Sequence, residues 1–263
     1  MSQPTSDQTG RQQATRAEIC VAACADTWIG AGEVLASPIG IVPAVGARLA
    51  RLTSAPNLVM SDGEALLIMD VPKLGATGSD VGVIEGWLPY RRVFDIVANG
   101  RRQVMMGASQ IDRYGNQNIS AIGDWRHPAF QLIGVRGAPG NTVNHRTDYW
   151  VPRHSRRVFV ERVDIVSGVG HDRARANGAA AARYHDVRVV VTDLAVLDFA
   201  TPDRSMRLRS VHPGVTVEQV RLATGFPLVV EDVTQTRLPN ADELHLIRDV
   251  IDPAGLRNRE LPS

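Results

Sequence analysis

Two turn-rich segments in the middle of the chain have the residue types best suited to binding a ligand through the backbone. They span residues 107–118 and 134–141 and follow the apolar runs 104–106 and 130–133. Glycine and asparagine accept positive φ angles and leave peptide N–H groups exposed, so such loops can surround an anion or a developing oxyanion. The candidate binding residues in them are Gly107, Ala108, Ser109, Gln110, Asn116, Gly137, Ala138, Gly140 and Asn141.

The alternative interpretation is that both segments are ordinary turns, for which a pair such as Gly115 and Asn116 is typical. Both segments are longer than a hairpin connection needs, and they place polar residues between apolar flanks, which favours a ligand-facing role. Neither is a nucleotide-binding motif, because the chain has no G-x-x-x-x-G-K-[ST] and no strand-linked G-x-G-x-x-G.

The elements that must position these loops alternate between helix and strand. Thr15 followed by Glu18 predicts a capping box at the start of the first helix. Helices are predicted at residues 16–28, 43–52, 216–223 and 242–250, and strands at 33–36, 57–60, 66–69, 94–97, 102–106, 130–135, 157–160, 188–192 and 195–199. Short apolar strands between helices indicate an α/β fold with an open, mostly parallel sheet flanked by helices. We expect a disordered tail at 1–15 and a single domain over 16–263.

Composition narrows the classes of partner. The chain has 263 residues, of which 44% are hydrophobic, and its 29 basic residues nearly balance its 28 acidic ones. A net charge of +1 gives no field that would attract nucleic acid, and no apolar run is long enough for a membrane span. Cys20 and Cys24 are spaced as core neighbours on one helix, and no histidines have metal-ligand spacing. We therefore expect a cytoplasmic protein with no metal, no nucleic acid and no membrane contact.

Three motifs in series resemble the β subunit of class I coenzyme A transferases. They are Gly-Ala-x-Gln-Ile-Asp-x-Tyr-Gly-Asn-x-Asn at 107–118, Gly-Ala-Pro-Gly-Asn at 137–141, and His-Pro-Gly-Val-Thr-Val-Glu-Gln-Val at 212–220 with Thr-Gly-Phe at 224–226. The resemblance spans residues 18–255 and implies the class I CoA transferase fold. It also implies an acyl-CoA substrate, with CoA as part of the substrate rather than a cofactor, and a site shared with an α subunit in an α2β2 heterotetramer.

One segment departs from the transferase pattern. The family carries a nucleophilic glutamate in a Glu-x-Gly motif. The corresponding segment here is Ser-Asp-Gly-Glu at 61–64, and an ungapped comparison places Gly63 at the position of that glutamate. Asp62 and Glu64 flank that position and are the candidate replacements. The side chain of Asp62 is one methylene shorter than that of a glutamate, which would draw its carboxylate back from the substrate. A misplacement of about 1 Å in a reacting group can cost on the order of 10²-fold in rate. A solvated turn is the alternative role for both acids.

The segments 61–64, 124–128 and 136–143 narrow the resemblance to a branch of the superfamily, the β subunits of actinobacterial hydrolases that open a steroid ring. For that branch the resemblance implies hydrolysis of a carbon–carbon bond in the last ring of a cholesterol-derived CoA thioester. Arg126 is the candidate group for holding a substrate carbonyl or carboxylate, and a surface arginine stacked on Trp125 is the alternative. Loop amides of the two segments would stabilise the oxyanion.

Two other functions stay open at this stage. The chain could be a 3-oxoacid-type CoA transferase β subunit that uses Asp62 or Glu64 as nucleophile. It could also be a scaffolding subunit whose partner supplies all the chemistry.

Overall fold

The computed structural model describes residues 13–77, 80 and 82–261. The predicted disordered tail falls mainly on residues 1–12, which lie outside the described residues. Of the remainder, Thr15 caps the first helix.

The described elements alternate as the sequence predicts, with several short additions. The helices are α1 Arg16–Asp26, α2 Ile41–Leu52, α3 Arg92–Ala98, α4 Ala138–Asn144, α5 His171–Ala176, α6 Ala179–Ala182, α7 Val217–Ala223 and α8 Ala241–His245, which continues as a π-helical segment Leu246–Ile251 and is followed by a 3-10 turn Leu256–Arg259. The strands are β1 Leu35–Pro38, β2 Met60–Ser61, β3 Leu66–Ile68, β4 Ile84–Trp87, β5 Arg102–Met106, β6 Gln110–Ile111, β7 Gln117–Asn118, β8 Ala121–Gly123, β9 Pro128–Gln131, β10 Arg146–Val151, β11 Asp186–Thr192, β12 Ala195–Asp198, β13 Arg207–Val211 and β14 Val229–Gln235.

The main sheet has seven strands in the order β1-β5-β10-β11-β12-β13-β14. Neighbouring strands are parallel except at β11-β12 and β12-β13. This arrangement confirms the predicted open, mostly parallel sheet flanked by helices. Three small antiparallel sheets, β2-β3-β4, β6-β7 and β8-β9, extend from it.

Each face of the main sheet carries its own hydrophobic core, because successive side chains of a strand point to opposite faces. Met105 and Trp150 pack with α1 and α2 in one core, whereas Val104 and Tyr149 belong to the other. Both cores therefore depend on the same strands, and displacing β5 or β10 would disturb both at once.

The first helix begins as the sequence predicts. The Thr15 hydroxyl accepts a hydrogen bond from the N–H of Glu18, whose carboxylate accepts one from the N–H of Thr15. Cys20 and Cys24 are buried and free, as expected for core residues. No helix among the described residues is long and apolar enough to cross a bilayer.

Two predicted strands are wrong. Residues 94–97 lie inside helix α3, where Val93, Phe94 and Val97 face one cavity at helical spacing. A four-residue apolar run does not distinguish strand from helix by periodicity. Residues 157–160 form a turn whose Phe159 makes only an isolated bridge to Ile111, so no ladder extends from it.

Candidate active site

Two adjoining cavities open beside strands β1, β5 and β10 and have volumes of about 620 and 400 Å³. The larger is lined mainly by β1, residues 61 and 63–65, α3 and the start of α4. The smaller is lined by residues 106–109, 133 and 136–138 and by the end of β10. The lining residues that both cavities share are Arg102, Arg136, Gly137 and Asn141. The two segments singled out in the sequence thus meet at one site.

The first segment lines the smaller cavity with its beginning and with Gln117 near its end. Gly107, Ala108 and Ser109 line the smaller cavity directly after β5 ends at Met106. A Cβ on Gly107 would meet nothing closer than the Trp150 carbonyl oxygen at 4.0 Å. The backbone of Gly107 therefore borders open space on that side. The parallel strand β10 ends nearby, which places the loop at the carboxyl edge of the sheet.

Gln110 and Asn116 are structural residues, contrary to the prediction that they bind ligand. Both are buried in the β6-β7 hairpin. The Gln110 amide oxygen accepts hydrogen bonds from Asn118 and from the N–H of Asp164, and its amide nitrogen donates to the Asp164 carboxylate. The Asn116 amide donates to Asp112 and Asp172 and accepts from the N–H of Gly170. The contacts of Gln110 and Asn116 favour the turn interpretation for these two residues.

The second predicted segment forms the start of α4. Gly137 and Asn141 line both cavities, Gly140 lines the larger one and Ala138 the smaller one. Pro139 occupies the first turn of the helix, where its missing N–H costs no hydrogen bond. The preceding residue Arg136 has φ of 50°, a left-handed conformation that directs the chain into the helix.

Several peptide N–H groups in the cavity walls have no acceptor in the described part of the chain, among them those of Ala108, Gly137 and Gly140. The N–H groups of Ser109, Ala138 and Asn141 are already donated, to Asn118, Val135 and Gly137 respectively. Unpaired donors beside a cavity can stabilise an oxyanion.

Arg102 is the residue that joins the two segments, and sequence reasoning missed it. Its Nε donates to Ser37 Oγ at 2.7 Å, and its Nη1 donates to Asn141 Oδ1 at 3.0 Å. Asn141 Nδ2 in turn lies 3.2 Å from Met106 Sδ. Burial lowers the pKa of Arg102, although an arginine stays charged at any physiological pH. A charged residue at the head of an otherwise apolar strand was the available sequence signal.

The acidic segment after β2 lies at the edge of the larger cavity. Ser61, Gly63, Glu64 and Ala65 line it. Asp62 does not, since its Oδ1 accepts hydrogen bonds from the N–H groups of residues 64, 65 and 66, each at 2.9 Å. Burial raises the pKa of Asp62, but the hydrogen bonds from Leu66, Glu64 and Ala65 outweigh it and lower the pKa below its usual value. Asp62 therefore closes the turn, and Glu64 is the carboxylate beside the cavity.

Arg126 lies apart from these residues. It is exposed at the tip of the β8-β9 hairpin, where its N–H donates to Asp124, and it lines neither cavity. A substrate contact by Arg126 stays a prediction, and it requires a ligand that extends beyond the cavities of this chain. Among the described residues, no three His, Cys, Asp or Glu side chains come together as metal ligands.

Large apolar side chains are exposed around the cavities. One set begins at the end of β4 and includes Trp87 and Tyr90, which are 73% and 75% exposed. Tyr90 and Phe94 also line the larger cavity. A second set contains Phe130 and Ile133, and Ile133 lines the smaller cavity. Contiguous exposed apolar surface beside a site is typical of a protein interface.

The mostly parallel sheet and the loops that meet at its carboxyl edge indicate the class of protein to which the chain belongs. The family model described as coenzyme A transferase matches residues 92–223. The chain belongs to the coenzyme A transferase family.

Within this family, the chain is 56% identical over 250 residues to the cholesterol ring-cleaving hydrolase IpdB subunit of Mycobacterium tuberculosis. The matched region covers 95% of this chain and 99% of that protein. The crystal structure of Rhodococcus jostii RHA1 IpdAB matches with a TM-score of 0.90 and 52% identity over 95% of this chain and 100% of that one. Glutaconate coenzyme A-transferase of Acidaminococcus fermentans matches with a TM-score of 0.79 and 25% identity, covering 92% and 96%. These similarities confirm both the fold and the resemblance found in the sequence.

Proposed function

We propose that this chain is the β subunit of a hydrolase that opens the last steroid ring of a cholesterol-derived CoA thioester. The reaction is a hydrolytic cleavage of a carbon–carbon bond. The names of the 56% identical relative and of the IpdAB structure support this substrate class. The motifs that resemble CoA-binding loops support the thioester.

The observation that carries the proposal is the conformation of residues 61–64. Gly63 occupies the position that aligns with the transferase nucleophile, and its φ of 87° belongs to a turn that Asp62 closes. An acyl-enzyme anhydride needs a carboxylate aimed at the thioester carbon. No carboxylate is held in that way at Gly63, whereas hydrolysis needs only activated water and stabilisation of the negative charge that forms.

The residues around the two cavities have distinct roles in this proposal. The free N–H groups of Ala108, Gly137 and Gly140 donate to the enolate or oxyanion. Arg102, held by Ser37 and Asn141, supplies a fixed positive charge between the two cavities. Removing one preorganised donor of this kind typically costs ~10² to 10³ in turnover.

The proposal includes an α subunit that completes the site in an α2β2 cytoplasmic enzyme. The exposed side chains of Trp87, Tyr90, Phe94, Phe130 and Ile133 are the surface on which we place it. The base that activates water then comes from that subunit or from Glu64. We propose no cofactor, since CoA enters as part of the substrate.

The test is to co-purify the chain with the α subunit and to analyse the CoA esters by mass spectrometry after turnover in heavy-oxygen water. We expect a ring-opened product that retains CoA and gains one oxygen from water without any acceptor acid. CoA exchange that depends on an acceptor acid would contradict hydrolysis. Asn141→Ala removes one of the two side-chain hydrogen bonds that hold Arg102 and should slow turnover. Asn177→Ala, at the carboxyl end of α5, is the matched control, because Asn177 lines neither cavity.

The second candidate function is a 3-oxoacid-type CoA transferase, and the placement of Glu64 beside the larger cavity is the observation that favours it. A transferase using Glu64 would accumulate an acyl-enzyme that borohydride or hydroxylamine traps. Glu64→Gln would abolish that trapping. Under the hydrolase proposal, wild-type protein forms no trapped adduct at all.

A further inference from the structure

A third cavity, of about 460 Å³, opens at the amino end of β11 and shares no lining residue with the two cavities of the candidate active site. Its walls come from α5, the start of β11, the end of β12 and residues 199, 200, 204 and 209. Ala174, Val187 and Phe199 give it an apolar floor. Its volume lies in the range of cavities that bind small molecules.

The rim of this third cavity is strongly basic. Arg175, Arg188, Arg204 and Arg209 line it. Arg175 donates to the carbonyl of Asp203, but in the described part of the chain the other three guanidinium groups have no hydrogen bond or salt bridge. One of their nitrogens, Nη1 of Arg188, is buried without a partner. Positive charge is thus gathered here without protein groups to satisfy it.

The two carboxylates in the cavity wall do not neutralise these arginines. Asp198 forms a bidentate pair with Arg207, the shorter bond being 2.8 Å, and Asp186 lies 3.6 Å from Arg146. Neither Arg207 nor Arg146 lines the cavity. Both carboxylates are therefore paired with other arginines, and the cavity keeps its excess of positive charge.

Two histidines in the same wall lie close enough to share a proton. His171 Nε2 lies 3.0 Å from the carbonyl oxygen of Val187, and His185 Nδ1 lies 2.6 Å from that of Thr142, so each of these nitrogens carries hydrogen. The two remaining nitrogens, His171 Nδ1 and His185 Nε2, are 3.2 Å apart. When both rings are neutral, each of these two nitrogens presents a lone pair to the other. One added proton would turn this contact into a hydrogen bond.

We propose that the third cavity binds a small molecule through a phosphate group, and that the His171–His185 pair takes up a proton when the phosphate enters. A phosphate has enough acceptor oxygens for several guanidinium groups, and arginine matches its geometry in bidentate fashion. The apolar floor leaves room for a compact organic body attached to the phosphate.

The surrounding charges explain why proton uptake accompanies binding. Burial, His185 and the nearby Arg204 and Arg175 lower the pKa of His171 to about 4, with the hydrogen bond to Val187 opposing them. Burial also lowers the pKa of His185, which Asp186 and Asp172 partly offset. An anion among the arginines cancels the part of this effect that comes from Arg204 and Arg175, so its binding favours protonation of the pair.

The test is isothermal titration calorimetry on the assembled enzyme with inorganic phosphate and, separately, with sulfate. Sulfate does not titrate near neutral pH, so any proton uptake on its binding belongs to the protein. We expect saturable binding of both ions, and a heat of sulfate binding that differs between two buffers of different ionisation enthalpy. His171→Gln should remove that difference. Arg204→Gln and Arg209→Gln, both exposed, should each weaken phosphate binding about tenfold.

Arg183→Gln is the matched control, since Arg183 is exposed and follows the lining residue Ala182 without lining the cavity itself. It should leave phosphate affinity unchanged, and equal weakening by this variant would show only a general charge effect and refute the site. No saturable phosphate binding to the assembled enzyme would refute it too, including the case in which the α subunit fills the cavity. Sulfate binding without proton uptake would refute the role of the histidine pair.

Discussion

The folded chain should lose stability in acid through one buried carboxylate, Glu18. Its side chain is 1% exposed and lies 2.7 Å from Arg248 Nε and 3.0 Å from Arg257 Nη2, joining the first helix to the end of the chain. Burial raises the pKa of Glu18. Hydrogen bonds from Arg248 and Thr15 and the charges of Arg248 and Arg257 outweigh burial and lower the pKa from its usual 4.5 to about 2.

The lowered pKa fixes the direction and the pH range of the effect. A carboxyl group whose pKa is lower in the folded state stabilises it above the unfolded pKa, and this contribution is lost as the pH falls through the folded pKa. A shift from 4.5 to about 2 corresponds to about 3 kcal/mol near pH 7. By the same relation about 1 kcal/mol remains near pH 3.

The perturbation is Glu18→Gln, and the assay is urea unfolding followed by circular dichroism at several pH values between about 7 and 3. The variant should be less stable than wild type by about 3 kcal/mol near pH 7, with the difference shrinking to about 1 kcal/mol near pH 3. Glu161→Gln, at an exposed position, is the control and should change little. A difference that stays constant across this pH range would refute the reasoning.

Three further predictions use the same unfolding and activity assays. Gly107→Ala should keep its stability within about 0.5 kcal/mol, because the added Cβ meets nothing closer than 4.0 Å, yet should cut turnover about tenfold; full turnover would exclude a ligand contact by this loop. Gly170→Ala should lose at least ~2 kcal/mol, because its Cβ would overlap the carbonyl oxygen of Tyr114, and a wild-type urea midpoint would contradict that overlap. Burial raises the pKa of the Cys20 and Cys24 thiols, so a thiol reagent should label them only after unfolding, and rapid labelling of native protein would show that the helix opens.

The sequence predicted the sheet well because strands buried on both faces are continuous apolar runs, as in β5 and β11. It failed at residues 94–97, where an equally apolar run belongs to a helix that borders a cavity instead of a core. A short run of apolar residues indicates that the segment is buried or lies on a binding surface. It does not report which kind of element supplies it.

The candidate site was predicted in its loops and missed in its connections. Gly107 and Gly137 were recognisable because they belong to glycine-rich segments that follow apolar runs. Arg102 was not, since its contacts with Ser37 and Asn141 join residues 65 and 39 positions away. Gln110 and Asn116 looked like binding residues because the sequence does not show that Asp164, Asp112 and Asp172 already satisfy their amides.

The turn at residues 61–64 bears on the position that the sequence resemblance aligns with the transferase glutamate. Gly63 has φ of 87°, a conformation that glutamate rarely adopts, although a Cβ there would meet no atom within 4 Å. The limit is therefore backbone conformation and not space. Asp62 holds that conformation through three backbone hydrogen bonds, so a glutamate at position 63 would have to break the turn before its carboxylate could reach a thioester. A turn that opposes a nucleophile at position 63 agrees with the proposed hydrolysis, in which the amides of Ala108, Gly137 and Gly140 would stabilise the negative charge without an acyl-enzyme.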